Sequence, residues 1–205
     1  MRHYLIAPAI ALGLLGSSQL ALAEQDPFVS MGLFFTPYNE LDIAATGLGS
    51  ASPDGSGFGL NASIGGSLHL YGEYMAGQLD QNGVDVDVTD SRLGLGYRSH
   101  FDGGYIVASG EYAGLKLDIA GADATDEGIG VHLGGGYYIT DAVTLYGRVG
   151  VIVLDDLDGS EARVGITGKL NENTSLFAQY RTMMLSETGG DLDANDLRIG
   201  VSFNF

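Results

Sequence analysis

The clearest indication of the fold is the segment Leu197-Arg198-Ile199-Gly200-Val201-Ser202-Phe203-Asn204-Phe205. Apolar residues alternate with polar or small ones up to Phe205, and a period of two is typical of a β-strand with one apolar face. The same alternation recurs upstream, for example over residues 68–74 and 143–151. These segments predict a protein built almost entirely from β-strands.

The first 23 residues are expected to be a cleaved leader rather than part of the fold. Arg2 precedes an apolar run from Tyr4 to Leu15, and Ala21-Leu22-Ala23 is a small-x-small cleavage site. Both features are typical of a secretory signal peptide. We therefore predict a signal peptide at 1–23 and one domain at 24–205. The chain has no cysteine, which excludes disulfides and thiolate metal sites.

Ten segments show the alternation, and each is close to the length of about 9–11 residues that a transmembrane strand needs. The connections alternate between tight turns and longer acidic stretches, an asymmetry that distinguishes the periplasmic and outer sides of outer-membrane barrels. The expected fold is an all-β, antiparallel up-and-down transmembrane β-barrel of about ten strands. Because Pro37 blurs the end of the first strand, eight strands remain the alternative. The segments lie near 28–36, 57–64, 67–77, 91–99, 104–116, 127–139, 143–154, 161–170, 175–185 and 196–205.

The two faces of these strands differ sharply in charge. One face is apolar throughout, and the other carries seven of the nine basic residues of the chain together with three glutamates. Arginine and glycine suit a narrow packed interior, whereas a soluble barrel would point its apolar face inward. The charged face is therefore predicted to line the lumen, either as a salt-bridge network that plugs it or as a narrow pore favouring anions. The predicted set is Glu73, Arg92, Arg98, Glu111, Arg148, Glu161, Arg163, Lys169, Arg181 and Arg198.

Most acidic residues are expected in the outer loops, Asp90 and Asp196 among them. The formal net charge of −17 excludes nucleic acid as a partner, because phosphate contacts need basic patches. Carboxylates bind divalent cations, which makes these cations candidate partners at the outer loops. Asp191, Asp193 and Asn195 have the 1-3-5 spacing of a calcium loop, but the glycine and glutamate that complete such a loop are absent. No metal site is predicted.

Aromatic residues gather towards strand ends, as in the interfacial girdles of membrane barrels, although ordinary β-propensity would also place them in strands. His69, His100 and His132 have no evident serine or aspartate partner at the outer rim. We therefore predict no catalytic residue, no cofactor and no enzymatic activity. The predicted girdles are Tyr97, Phe101, Tyr105, Tyr137 and Phe205 on the turn side, and Phe35, Phe58, Tyr74, Tyr112 and Tyr180 on the loop side.

The apolar positions of the final strand, Leu197, Ile199, Val201, Phe203 and Phe205, resemble the assembly signal recognised by the outer-membrane insertion machinery. With the leader, they make the chain resemble the small outer-membrane β-barrel proteins grouped with the OmpA and OmpX transmembrane domains. The resemblance implies the outer membrane of a Gram-negative bacterium, contact with lipid and lipopolysaccharide, and the barrel-assembly machinery as a partner.

Two functions follow from these observations as expectations. The first is a structural barrel or narrow porin-like channel without enzymatic activity. The alternative is a surface-interaction protein, such as an adhesin, a receptor or a divalent-cation binder, that acts through its acidic extracellular loops.

Overall fold

A computed structural model describes residues 28–45, 49–119, 121–187 and 190–205. The predicted leader, residues 1–23, lies outside the described residues. No helix in the described part of the chain is long and apolar enough to cross a membrane.

The described residues form one closed antiparallel sheet. Each long strand pairs with its neighbours in chain order, and the last strand pairs with the first. The three-residue strand β2 pairs only with β1, so ten strands form the wall, and the predicted all-β ten-stranded barrel is confirmed over the eight-stranded alternative. The strands are β1 (Phe28–Ala45), β2 (Gly49–Ala51), β3 (Asp54–Gly65), β4 (Leu68–Gln81), β5 (Val84–Phe101), β6 (Gly104–Ile119), β7 (Ala122–Tyr138), β8 (Val143–Leu154), β9 (Asp158–Lys169), β10 (Thr174–Glu187) and β11 (Gly190–Asn204).

The outer segments predicted as acidic loops are mostly strand, and this part of the prediction is wrong. The stretch 78–90, for example, is a hairpin in which β4 and β5 are joined by Asn82-Gly83 alone. Both turn residues have positive φ, 56° and 81°, as a type I′ turn requires. Strand pairing continues beyond the membrane because apolar residues such as Val86 and Val88 still alternate on the inward face, where they are buried.

The outward face in the middle of the wall is apolar. Leu93, Ile129, Leu133 and Val151 point away from the barrel and are among its most exposed side chains. In water such a surface would be an aggregation hazard, whereas in a bilayer it meets hydrocarbon. The predicted girdle residues are exposed on this face, with the exception of Tyr105, which has the parity of Glu111 and therefore faces the lumen.

The barrel interior is arranged in three layers along its axis. The periplasmic vestibule opens at the end that carries Phe205 and the short turns, and polar side chains such as Asn61, Ser63, Ser175, Gln179 and Ser202 line it. The charge layer follows: Glu73, Asp90, Arg92, Glu111, Arg148, Glu161, Arg163, Arg181, Asp196 and Arg198. The apolar layer lies at the outer end: Leu41, Leu79, Val86, Val88, Ala113, Leu115, Ile152, Leu154, Met183, Leu185, Leu192 and Ala194.

Candidate functional site

The charge layer is built on a short repeated pattern, an acid followed two residues later by an arginine on the same strand. Residues two apart in a strand face the same side, so both side chains enter the lumen. In each repeat the arginine Nε donates to the preceding carboxylate. The distances are 2.9 Å for Arg92 to Asp90 on β5, 2.7 Å for Arg163 to Glu161 on β9, and 2.6 Å for Arg198 to Asp196 on β11.

The same arginines also join their own strand to other strands, including a direct neighbour and strands across the lumen. Arg92 Nη1 donates to Glu111 Oε1 at 2.5 Å, and its Nη2 lies 2.7 Å from Glu161 Oε2. Arg198 and Arg163 both donate to Glu73, at 2.8 Å and 3.0 Å. These contacts connect residues far apart in sequence, so the network holds opposite sides of the wall at fixed separation.

Arg181 completes the layer from β10. Its Nε donates to Asp196 Oδ2 at 2.6 Å, and its Nη1 donates to Asp90 Oδ2. Arg148, the most accessible of the five arginines, lies 3.1 Å from Glu161 Oε1 and 3.5 Å from Glu111 Oε2. Every arginine of the layer therefore meets at least two carboxylates, which is the arrangement that makes buried ions tolerable.

The layer is electrically balanced, contrary to the predicted excess of cations. Five arginines face five carboxylates, because Asp90 and Asp196, which were assigned to outer loops, are buried inward members of the network. Two predicted members lie elsewhere. Lys169 is exposed at the turn end of β9, and the Arg98 guanidinium lies 4.8 Å from the centre of the Tyr105 ring on the vestibule side. The expectation of an anion-favouring lumen therefore loses its basis.

His132 lies within the charge layer, between two glutamates. Its Nε2 is 3.5 Å from Glu161 Oε1 and its Nδ1 is 3.9 Å from Glu111 Oε1. Neither nitrogen makes a hydrogen bond to a described residue. The ring is buried against Gly150 of β8, where a Cβ would lie 2.2 Å from His132 Cδ2. This histidine is a packed part of the network. Ser109 lies directly opposite it in the register of β6 and β7, but neither ring nitrogen of His132 is hydrogen-bonded to the serine.

Inward-facing glycines make room for the large lumen side chains. Gly94 lies under the Tyr71 ring and Gly165 under the Tyr146 ring, and in both places a Cβ would come within 2.6 Å of a ring atom. Each ring therefore packs closely against a glycine of the neighbouring strand. This close packing explains why glycine is frequent on the charged face of the strands.

Side chains of the charge layer and of the apolar layer pack across the lumen. Arg181 and Arg198 are 2% and 1% exposed, and in the apolar layer Leu79, Ile152 and Leu185 are each 1% exposed. An ion moving along the axis would have to displace paired guanidinium groups and then pass the twelve apolar side chains of the apolar layer. The vestibule, a cavity of about 420 Å³, lies at the periplasmic end of the lumen.

The described residues contain no group of three or more histidine, cysteine, aspartate or glutamate side chains arranged to hold a metal ion. Asp191, Asp193 and Asn195 lie in β11, where alternate residues are spread along an extended strand. Their 1-3-5 spacing therefore does not form a compact loop.

Solved structures share this architecture. The outer-membrane protease OmpT of Escherichia coli superposes with a TM-score of 0.59 at 8% identity, covering 88% of this chain and 97% of that one. An outer-membrane channel of Pseudomonas putida gives 0.55 at 12% identity, with coverages of 86% and 95%. Neisserial surface protein A gives 0.49 at 16% identity, with coverages of 88% and 100%. No protein-family model and no curated protein sequence matches the chain.

A closed antiparallel barrel with an apolar outside and a charged inside defines an integral outer-membrane β-barrel protein, and this chain is one. Its location is the outer membrane, as expected. The expected resemblance to the small barrels grouped with OmpA and OmpX is confirmed at the level of the fold.

Proposed function

We propose that the protein is a non-enzymatic, structural outer-membrane barrel whose lumen does not conduct in the resting state. The observation that supports this proposal is the balanced charge layer, in which five arginines and five carboxylates neutralise one another in a buried network. A pore would need hydrated charges along an open path. Here the apolar layer lies beyond the charges, and the twelve side chains that form it offer no ligand to an ion.

The placement of the histidines supports the non-enzymatic part of the proposal. His69, His100 and His132 lie in the lumen or at the periplasmic end, and the only other histidine of the chain is His3. The outer hairpins therefore lack the residue that most often acts as a general base. Proteolytic activity is a property of OmpT. At 8% sequence identity, the similarity between OmpT and this chain shows a shared fold only.

Planar-bilayer recording on the full-length mature protein, refolded and reconstituted, tests the proposal. Refolded barrel should give no discrete conductance steps, while protease protection of the same preparation in vesicles confirms that it has inserted. Repeated steps of uniform size in the unmodified protein would refute the closed lumen. If such steps favour anions, the narrow-channel interpretation replaces it.

A second candidate function, surface interaction through the acidic outer hairpins, rests on the register of the strands. Asp80 lies directly opposite both Asp54 and Asp85, and Asp118 lies directly opposite both Asp87 and Asp123. Like charges placed directly opposite are destabilising. Divalent cations shared with surrounding lipopolysaccharide would relieve this repulsion, since the described residues hold no group of three carboxylates close enough to bind an ion by themselves.

Amide hydrogen exchange with and without millimolar calcium tests this second candidate. Calcium is expected to slow exchange in the hairpin around Asn82-Gly83 and to leave the central strands unchanged. Equal protection by calcium and by sodium at matched ionic strength would reduce the effect to simple screening and would exclude a divalent-specific role.

We also propose that Leu197, Ile199, Val201, Phe203 and Phe205 form the signal read by the barrel-assembly machinery. The first four share the outward face of β11, and Phe205 follows directly after its end. The Phe205 amide donates to Val29 O at 2.9 Å, so the signal segment also closes the barrel. In cells, Phe205→Ser should slow assembly, while spontaneous refolding into vesicles should change little. If both processes slow equally, the residue acts through closure rather than through recognition.

A further inference from the structure

A cavity of about 220 Å³ lies at the outer mouth, above the apolar layer. Its floor is apolar and is formed by Ile43 of β1, Leu115 and Leu117 of β6, Leu157 of the β8–β9 connection, and Leu192 of β11. Strands β6 and β11 stand on opposite sides of the ten-stranded wall. The cavity therefore spans the mouth of the barrel rather than forming a groove on its outside.

The rim of the same cavity is acidic. Asp126, Asp156, Glu187 and Asp191 line it, and no lysine, arginine or histidine is among the described residues around it. An anionic ring above a low-dielectric floor concentrates cations at the opening. The combination selects for a molecule that carries a positive charge at one end and an apolar body at the other.

Asp126 offers such a molecule a specific contact. It has the inward parity of β7, and its Oδ1 accepts a hydrogen bond from the Asp156 amide at 3.1 Å. Its other oxygen, Oδ2, is buried and has no hydrogen-bond partner among the described residues. A buried carboxylate oxygen without a donor is costly, so a ligand that supplies an N–H to it would gain that energy on binding.

We propose that the outer mouth is a binding site for small cationic amphiphiles, with the ammonium group at Asp126 and the apolar body on the leucine floor. An apolar cavity of about 150 Å³ holds a benzene molecule, so this one accommodates an aromatic ring with part of an alkyl chain. The site is separate from the charge layer, and its occupancy does not depend on whether the lumen conducts.

Methyl NMR of the mature protein in zwitterionic lipid nanodiscs tests this site with 4-phenylbutylamine as the probe. The signals of Leu117 and Leu157 should shift and saturate. The matched anion 4-phenylbutyrate should need about tenfold more ligand, equivalent to about 1.4 kcal/mol, because it meets the rim with the wrong charge. Titration of empty nanodiscs corrects for ligand dissolved in the lipid.

Two variants separate the charge from the apolar floor. Asp126→Asn should weaken binding of the amine about tenfold and should strengthen rather than weaken binding of the carboxylate, and Asp80→Asn, which removes an outer charge away from the cavity, should change neither. Leu117→Trp should fill the cavity and abolish both. If Leu117→Trp does not fold, the Asp126→Asn comparison decides alone.

Three results would overturn the site: equal saturation by the two probes, shifts that rise linearly without saturating, or equal effects of Asp126→Asn and Asp80→Asn. Conductance plays no part in the readout, so failure here is distinguishable from failure of the structural proposal.

Discussion

Glu161 makes the most arginine contacts of any carboxylate in the charge layer. Its oxygens lie 2.7 Å from Arg92, 3.1 Å from Arg148 and 2.7 Å from Arg163. Glu161→Gln keeps the shape of the side chain and removes its charge, leaving buried guanidinium groups uncompensated. Breaking a buried ion pair in this way costs about 3–5 kcal/mol.

Urea unfolding of the barrel in lipid vesicles measures this loss as a lower free energy of unfolding. Glu187→Gln, a change of the same chemistry at an exposed outer position, is the matched control and should leave the midpoint unchanged. A Glu161→Gln barrel as stable as its control would mean that the layer contributes no net ionic stabilisation.

A glycine facing the lumen offers a second test at the scale of single residues. Gly150→Ala would place a Cβ 2.2 Å from His132 Cδ2 and 2.4 Å from Val131 O, so the ring and the strand must move. Such overpacking costs about 1–3 kcal/mol. Gly168→Ala meets nothing within 4 Å and serves as the control. Equal unfolding free energies for the two variants would show that the packing of His132 does not require a glycine at position 150.

Asp90 and Asp196 show why the sequence located the lumen charges only in part. Both sit two residues before an arginine, as Glu161 does, and this acid-x-arginine repeat was available in the sequence. From the sequence, both count among the acidic residues of the outer loops. Arg181 of β10 lies beside both aspartates. It faces Asp196 within the β10–β11 hairpin, whereas its contact with Asp90 of β5 joins strands that are not neighbours and is revealed only by the closed barrel.

At the scale of elements, the strands are longer than the membrane requires. The central apolar faces could be predicted because a period of two over about ten residues is strong. The extensions of the strands on the outer side could not be predicted. Acidic residues alternate there with valine or leucine, and this pattern resembles that of a polar loop. In the structure the apolar residues of the extensions face inward and pack together, so the burial of Val86, Val88 and their partners decides the conformation.

The β4–β5 hairpin provides a test of the aspartate register. Asp80→Asn removes repulsion with Asp54 and Asp85 and keeps Oδ1, which accepts a hydrogen bond from the Gly83 amide at 3.3 Å. Each relieved pair should stabilise the hairpin by about 0.2–1 kcal/mol. Slower amide exchange at residues 79–86 would report it.

This gain should shrink at high salt, because exposed charges are screened. Asp141→Asn in a periplasmic turn is the control for a general effect of net charge. A gain that persists unchanged in high salt would contradict the electrostatic explanation.

For the molecule as a whole, the absence of cysteine from the sequence allows the membrane band to be mapped directly. In reconstituted vesicles, Leu133→Cys on the apolar outer wall should react with a water-soluble maleimide at least about tenfold more slowly than Asp85→Cys, because the reactive thiolate needs water. Asn171→Cys marks the periplasmic turns. If Leu133→Cys reacts as fast as Asp85→Cys, the apolar wall is not in lipid.

The neutrality of the charge layer also affects how neighbouring copies of the protein interact in the membrane. Since the charge layer is neutral, the net charge of −17 is carried mainly by the outer hairpins, which form an anionic collar above the bilayer. Two collars repel within a screening distance of about 8 Å at physiological ionic strength. Neighbouring copies are therefore expected to remain dispersed in the plane of the membrane, and crowding them into arrays would require cations between them.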